Sequence, residues 1–184
     1  MAKLSIFWFR RDLRLSDNQG LYEALKAGHQ VLPVFIFDPS ILLKLRDQSD
    51  RRVNFIYQQI QSIQEHLINL GSTLKVMHAN PVEAFEILLD EYEIDAVYTN
   101  EDYEPYAIKR DGAVEERLNA KGVPLRCFKD QVLFAKQDVL KGDGSPYTVY
   151  TPYSRQWKLK LAEQSIPEYP SEQLLTNFFK TTPF

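Results

Sequence analysis

The feature that most constrains the fold of this chain is the alternation of short apolar runs with longer segments of helical periodicity. The runs Leu4–Phe9 and Val31–Phe37 are apolar over almost their whole length, which is typical of strands buried on both faces of a sheet. Three shorter runs repeat the pattern at 73–77, 96–99 and 123–128. Five strands separated by helices of this length predict right-handed crossovers and a parallel sheet.

The segments between these runs carry helix signals. The clearest helix is predicted at 50–70, where apolar residues form one stripe along a single face. Asn80 and Pro81 are typical of the N-cap and the first position of another helix. Two more helices are predicted at about 18–27 and 105–120 from their caps and periodicity. The stripe of the clearest helix consists of Val53, Ile56, Ile60, Ile63, Leu67 and Leu70.

The predicted fold is therefore a Rossmann-like α/β sandwich of three layers. Its five-stranded parallel sheet is expected in the order 3-2-1-4-5, with helices on both faces. The chain length of 184 residues fits one such domain, expected at 1–164, with a trailing segment. Pro33 conflicts with this prediction, because proline removes a backbone donor from what should be a central strand.

After residue 128 the pattern changes. Residues 132–134 and 147–150 are predicted as two short strands around a glycine-rich turn at 142–146. A last helix is expected at 154–162. Residues 165–184 contain three prolines and few capping residues, so they are predicted to begin an interdomain linker.

Charge and cysteine usage limit the possible partners and location. A net charge of −3 argues against a stand-alone nucleic-acid binder, whose surface should be basic. The single cysteine, Cys127, cannot form an internal disulfide, which favours a reducing compartment. The apolar N-terminal run is too short for a signal peptide or a membrane span. A cytoplasmic protein with no membrane partner is predicted.

The expected position of a ligand site follows from the predicted topology. In an open parallel sheet of this order, ligands bind outside the carboxyl ends of the strands, where the winding reverses. The loops 10–18 and 100–105 lie there, and the second strand adds Asp38 to the same rim. The charged residues of the chain thus concentrate where this fold places ligands.

Common catalytic and metal motifs do not occur at that rim. The sequence contains no phosphate-binding loop and no GxGxxG after a strand, so neither ATP hydrolysis nor ordinary NAD binding is predicted. Three scattered histidines and one cysteine have no zinc-site spacing. We therefore predict no metal and no catalytic residue in this chain.

The charged residues of the rim allow two interpretations. For Arg10, Arg11, Asp12 and Arg14, mutual ion pairs that hold the loop are favoured over ligand contact, because guanidinium groups and carboxylates pair readily. Glu104 is expected to cap the helix that begins at 105, and ligand contact is equally compatible with that position.

Four segments resemble, in the same order, the DNA photolyase and cryptochrome family. They read FRRDLRLSDN, VFIFDPSIL, NEDYEPYAIKRDGAVEERL and GSPYTVYTPYSRQW, within residues 4–157. In that family an α/β domain comes first, and a longer helical domain that binds FAD and the DNA lesion follows. The resemblance implies that this chain is the α/β photolyase-homology domain without the helical FAD domain, and that it does not repair DNA alone.

The resemblance also implies a cofactor. The first domain of the family holds an antenna chromophore, which passes excitation to FAD for repair of pyrimidine dimers in DNA. Folate-binding members carry an Asn-Glu pair at the positions of Tyr106 and Ala107, so a deazaflavin or flavin nucleotide is expected here rather than methenyltetrahydrofolate. The chromophore-binding residues that the resemblance implies are Phe37, Asp38, Arg52, Asp102 and Glu104, and Asn100 is added because it ends the fourth strand at the same rim.

Two alternatives stay open at this point. The same domain occurs in cryptochromes, which are blue-light photoreceptors, and nothing in the 184 residues separates these from photolyases. A stand-alone nucleotide-binding α/β protein ranks last, because it should carry a phosphate-cradling glycine motif. The partners implied for the full-length protein are its own C-terminal FAD domain and damaged DNA.

Overall fold

Five parallel strands alternate with helices along the chain and form one sheet. The computed structural model describes residues 3–45, 50–135 and 137–183. The strands are β1 Leu4–Phe9, β2 Val31–Phe37, β3 Lys75–His78, β4 Ile94–Asn100 and β5 Leu125–Phe128. The helices are α1 Gln19–Lys26, α2 Pro39–Leu42, α3 Arg51–Asn69, α4 Pro81–Glu91, α5 Pro105–Asn119 and α6 Tyr150–Ala162, followed by a 3₁₀ helix at Ser171–Asn177.

The strand order is β3-β2-β1-β4-β5, and all four pairings are parallel. The predicted fold class is therefore confirmed. β1 lies at the centre, where Phe7 pairs with Pro33 of β2 on one side and with Tyr98 of β4 on the other. Within the part of the chain that the structure describes, no helix combines the length and apolarity that a membrane crossing needs.

The sheet is buried on both faces because its central strands β1 and β2 are apolar at every position but Ser5. Phe7 and Phe9 pack with side chains of α1 and α3 on one face. Ile6 and Trp8 pack with α4 and α5 on the other. Each large apolar side chain buried in this way stabilises the fold by about 1.5–3 kcal/mol. This double burial explains why β1 reads as a continuous apolar run.

The apolar stripe of α3 serves two purposes. Ile60, Ile63 and Leu67 are buried against the sheet, as the periodicity predicts. Val53 and Ile56, in the first turns of the helix, line a cavity beyond the sheet end. The stripe therefore continues from the core into the wall of a ligand-sized space.

Pro33 fits in β2 because of where its neighbours begin. β3 pairs with β2 only from Val34 onward, and the backbone N–H of Phe179 donates to the carbonyl of Val31 at 2.8 Å. Backbone groups two residues apart point to the same side of a strand. The N–H that Pro33 lacks would thus lie between the Phe179–Val31 hydrogen bond and the first residue of β2 that pairs with β3, which is Val34.

The prediction of two strands after residue 128 is wrong. Residues 132–134 and 147–149 form turns and irregular backbone, and α6 begins at Tyr150 rather than at residue 154. Their aromatic side chains pack on α6 instead, with ring centroids of Phe134 and Trp157 5.4 Å apart. Phe134 thus contacts a helix and is not part of a strand ladder.

The C-terminal segment packs onto the domain. The 3₁₀ helix lies against α1, and Leu175 and Phe178 are buried in the core. The side-chain amide of Asn177 donates to the carbonyl of Leu25 at 3.0 Å. The domain boundary at residue 164 and the interdomain linker at 165–184 stay predictions, but residues 171–179 are an integral part of the folded unit.

Replacing the buried Phe178 should therefore destabilise the domain strongly. For Phe178→Ala we expect the free energy of unfolding to fall by about 3–5 kcal/mol, because the change leaves a cavity in the core. Urea denaturation measures this. Tyr150→Ala is the control, since that ring is 77% exposed and its loss should change stability by less than about 0.5 kcal/mol. Equal, small effects of both changes would show that the segment is not packed in solution.

Candidate functional site

A cavity of about 560 Å³ opens at the carboxyl ends of β2, β1 and β4. This is the end of the sheet where a doubly wound fold binds its ligands. Its apolar lining is Trp8, Phe35, Ile36, Phe37, Ile41, Leu42, Leu45, Val53, Ile56, Pro81 and Ala107. Its polar lining is Arg10, Arg11, Asp38, Arg52, Asp102, Glu104, Tyr106 and Arg110.

The structure brings together five of the six residues predicted to bind a chromophore. Phe37, Asp38, Arg52, Asp102 and Glu104 all line the cavity. The sixth, Asn100, ends β4 with its side chain buried in a polar cluster on the other side of the strand end, as described below. A direct role of the six in ligand binding stays a prediction.

Asp38 is the buried carboxylate of the cavity. It is the N-cap of α2, where its Oδ1 accepts from the backbone N–H of Ser40 at 2.8 Å. Its Oδ2 accepts from the hydroxyl of Tyr106 in the first turn of α5. Burial raises the pKa of the Tyr106 phenol, and the hydrogen bond to Asp38 raises it further. The phenol therefore stays a donor at neutral pH.

Asp102 and Glu104 form an acidic edge that faces one arginine. The Asp102 side chain is 7% exposed, and its Oδ1 lies 3.5 Å from Nη1 of Arg11, whose side chain is 55% exposed. Glu104 Oε1 lies 3.9 Å from the same nitrogen. Glu104 occupies the N-cap position of α5 as predicted, but its side chain makes no capping hydrogen bond. Its carboxylate is left available to the cavity.

Arg52 is held by Asp50, the residue that caps α3. Its Nη2 donates to Asp50 Oδ2 at 2.6 Å, and the Arg52 side chain is 76% exposed. These donated hydrogen bonds lower the pKa of Asp50 to about 2. Arg52 therefore pairs with the residue that caps its own helix, and neither Asp38 nor Asp102 forms an ion pair with it among the described residues.

Two buried arginines flank the indole of Trp8 beneath the cavity. The guanidinium carbons of Arg10 and Arg110 lie 5.0 and 4.9 Å from the Trp8 ring centroid, which is cation–π distance. Arg10 binds both oxygens of Asp111 through Nη1, at 2.7 and 2.6 Å. Arg110 donates to the same carboxylate from Nε at 3.0 Å. Asp111 thus fixes both cations against the indole.

A polar cluster formed by Asp12, Asn18 and Asn100 joins the ends of β1, α1 and β4. Asn100 Nδ2 donates to Asp12 Oδ2 at 2.5 Å and to Asn18 Oδ1 at 2.8 Å. Asp12 Oδ1 accepts from the backbone N–H of Arg10 at 2.9 Å. Asn18 Oδ1 caps α1 by accepting from the backbone N–H of Leu21 at 3.1 Å. All three side chains are buried.

Ion pairs hold the charged loop, but its arginines pair with carboxylates outside the loop and not with Asp12, so the predicted mutual pairing is wrong. Arg14 Nη2 donates to Asp130 Oδ2 at 2.7 Å, and Asp130 Oδ1 accepts from the backbone N–H of Gln19 at 2.9 Å. Arg10 and Asp12 are also satisfied within the domain. Of the four charged residues considered, Arg10 and Arg11 line the cavity as well, so pairing and exposure to a ligand coexist there.

Several cavity residues were not identified from the sequence. Trp8, Arg10, Tyr106 and Arg110 all line the space. Tyr106 and Arg110 are four residues apart on α5, so their shared face is readable from helical spacing. The short helix α2 carries no such periodicity, and its apolar wall was not predictable. Among the described residues, no group of three or more His, Cys, Asp or Glu side chains could hold a metal ion.

Comparison with known proteins gives consistent matches. The family model described as DNA photolyase matches residues 5–171. The deoxyribodipyrimidine photo-lyase of Synechococcus sp. (strain PCC 6301) is 37% identical over 158 residues, which cover 86% of this chain and 32% of that protein.

Two crystal structures share the fold. A bacterial class III photolyase from Agrobacterium tumefaciens aligns with a TM-score of 0.78 and 27% identity, over 93% of this chain and 35% of that one. An archaeal photolyase from Sulfolobus tokodaii, solved with two FAD molecules, aligns with a TM-score of 0.71 and 26% identity, over 97% and 42%. The chain thus spans 32–42% of the length of these relatives.

The polar cluster makes Gly20 sensitive to substitution. A Cβ at Gly20, in the first turn of α1, would lie 2.5 Å from Asn100 Oδ1 and 3.0 Å from the ring of Phe7. Gly20→Ala should therefore lower the free energy of unfolding by about 1–3 kcal/mol through overpacking. Gly112→Ala, inside α5 with no atom within 4 Å, should instead stabilise by about 0.5–1 kcal/mol. Chemical denaturation of both variants tests this, and a stabilised Gly20→Ala would contradict it.

Removing the carboxylate of Asp12 should be costly. Asp12→Ala leaves one N–H of the Asn100 amide and the backbone N–H of Arg10 without an acceptor in a buried site, at about 1–3 kcal/mol for each group. Asp95→Ala, which breaks the exposed pair with Lys3, should cost less than about 1 kcal/mol. Thermal unfolding of the two variants distinguishes them. A drop no larger than that of Asp95→Ala would mean that water reaches the cluster.

Proposed function

Because the chain belongs to the DNA photolyase family and corresponds to its N-terminal α/β domain, we propose that it binds a light-harvesting antenna chromophore. The chromophore is a deazaflavin or a flavin nucleotide, and its ring lies in the cavity at the carboxyl end of the sheet. In the full-length protein it passes excitation to FAD.

The observation that carries this proposal is the lining of the cavity. Small-molecule sites commonly have volumes of about 300–1,000 Å³, largely apolar walls and a few converging polar groups. This cavity has that size, eleven apolar lining residues and eight polar ones. A flat aromatic heterocycle satisfies such a lining better than a sugar or a peptide does, because it offers two apolar faces and a polar edge.

The polar groups suit the edge of a flavin-type ring. Asp38 accepts hydrogen bonds and suits a ring N–H. Arg11 and Arg52 donate to ring carbonyl oxygens or to a phosphate. Asp102 and Glu104 accept from the hydroxyl groups of a ribityl chain. Phe37 supplies an aromatic face, held edge-on to Phe35 at a centroid distance of 4.9 Å.

Two observations favour the flavin class over a folate. At the positions where the family resemblance implies an Asn-Glu pair for folate, this chain has Tyr106, whose hydroxyl is bonded to Asp38, and Ala107, which is buried. The Sulfolobus relative, in addition, was solved with two FAD molecules.

The activity of the whole protein is also a proposal. We infer a deoxyribodipyrimidine photolyase, as the names of the relatives suggest. The family resemblance implies that its C-terminal helical domain binds FAD and contacts damaged DNA. Repair of pyrimidine dimers would require that domain, so the 184 residues alone should be inactive. A cryptochrome built on the same domain stays the alternative. A cytoplasmic location stays a prediction.

Titration with three chromophores tests the proposal. We expect FMN or 5-deazariboflavin to bind at least about tenfold more tightly than methenyltetrahydrofolate, a difference of about 1.4 kcal/mol. The double change Asp102→Ala and Glu104→Ala should weaken flavin binding by about tenfold or more, because it removes two charged acceptors. Fluorescence of the bound chromophore reports both affinities.

The matched control is the double change Glu115→Ala and Glu116→Ala, which removes two exposed carboxylates of α5 outside the cavity. This control should bind flavin like the unchanged chain. Preference for the folate, or full flavin affinity after loss of Asp102 and Glu104, would disprove the assignment of the site.

A further inference from the structure

We propose that Tyr106 is a positioning residue that sets the ligand specificity of the cavity, by orienting the Asp38 carboxylate to accept an N–H from the ligand ring. The inference rests on the proposed function, since it concerns the same cavity. It adds a selection rule: the site takes heterocycles with a free ring N–H between carbonyl groups and rejects their N-alkylated analogues.

The Asp38 carboxylate has acceptor capacity that its hydrogen bonds within the domain leave unused. The two oxygens of an ionised carboxylate offer roughly four acceptor positions. At Asp38 one is used by the Ser40 backbone N–H, at 2.8 Å, and one by the Tyr106 hydroxyl. The carboxylate is buried yet lines the cavity, so its free acceptor capacity faces a space from which a bound ligand would exclude water.

The phenol of Tyr106 is fixed in position by its neighbours. The Tyr106 ring lines the cavity, with Nζ of Lys44 at 4.9 Å and the guanidinium carbon of Arg110 at 6.0 Å from its centroid. Lys44 follows α2 and Arg110 lies one turn further along α5. The phenol thus connects the short helix α2 to α5 across the cavity wall. The Asp38 carboxylate is bonded through one oxygen to this phenol and through the other to the Ser40 backbone N–H, so it cannot rotate freely.

The selection follows from the cost of a buried acceptor. A site built to accept a hydrogen bond discriminates against a ligand that lacks the donor, because its polar group is then left unpaired. The pyrimidine-dione edge of flavins and deazaflavins offers one N–H between two carbonyl oxygens. Asp38 suits the N–H, and guanidinium groups that line the same cavity suit the carbonyls.

Methylation of the ring N–H provides the test. Affinities for riboflavin and for 3-methylriboflavin are measured by fluorescence titration with the unchanged chain, Tyr106→Phe and Asp38→Asn. We expect methylation to weaken binding to the unchanged chain by about 10- to 100-fold, the usual effect of losing a hydrogen bond to a charged group. In Tyr106→Phe riboflavin should bind about tenfold more weakly, and the methylation penalty should shrink to about threefold or less.

One control variant and one second test variant keep the outcomes distinct. Tyr103→Phe removes the hydroxyl of a neighbouring, half-exposed tyrosine outside the cavity and should leave both affinities unchanged. Asp38→Asn should reduce the methylation penalty in the same way as Tyr106→Phe. It therefore tests the acceptor independently if loss of the Tyr106 hydroxyl unfolds α2, which circular dichroism would show.

The proposal is overturned if Tyr106→Phe or Asp38→Asn is folded and keeps the full methylation penalty, or if the unchanged chain binds both flavins equally well. These results leave flavin binding itself intact. Failure of the unchanged chain to bind riboflavin, FMN or 5-deazariboflavin would instead disprove the proposed function, and this inference with it.

Discussion

The structure depends on one buried hydrogen-bonded junction, in which Asn100 binds Asp12 and Asn18. It sits where the sheet reverses its winding, so it joins the loop after β1, the start of α1 and the end of β4. Buried polar groups are stable only when they are fully paired, which makes such a junction highly specific in geometry. Because it fixes the ends of two adjacent strands, it also fixes the distance between the loops that form the cavity.

The charged residues near the cavity fall into two groups, those held in close ion pairs and those left largely exposed. Arg10 and Arg14 are bound to Asp111 and Asp130, so they hold the loops rather than a ligand. Arg11 and Glu104 stay more than half exposed, and their separation of 3.9 Å makes their pairing weak. The ion pairs of Arg10 and Arg14 thus hold the loops near the cavity, and Arg11 and Glu104 stay adaptable in its lining. This division is what a binding site on a rigid sheet requires.

The sequence was most informative where burial sets a simple period. The apolar runs and the α3 stripe predicted the sheet, its order and the end at which the cavity opens. Asn100 was placed at the rim because a polar residue at a strand end resembles a ligand contact, and only three-dimensional packing shows that its amide is already bound. The helix α2 is too short to show a periodicity, so the cavity wall that it forms was not predictable. The aromatic residues after residue 128 that resembled strand residues pack on α6. Contact between distant segments, as at Phe178, leaves no local signal.

The packing of the C-terminal segment has a consequence for the order of folding. The bond between Asn177 and Leu25 spans 152 positions, and Phe178 is buried beside the second strand. During synthesis the groove that receives this segment stays open until the residues near 178 have left the ribosome. Closing so long a loop costs little more conformational entropy than closing a shorter one. The two segments nevertheless meet late, because the residues near 178 are synthesised long after Leu25. The nascent chain therefore exposes this apolar groove until the residues near 178 have emerged and packed into it.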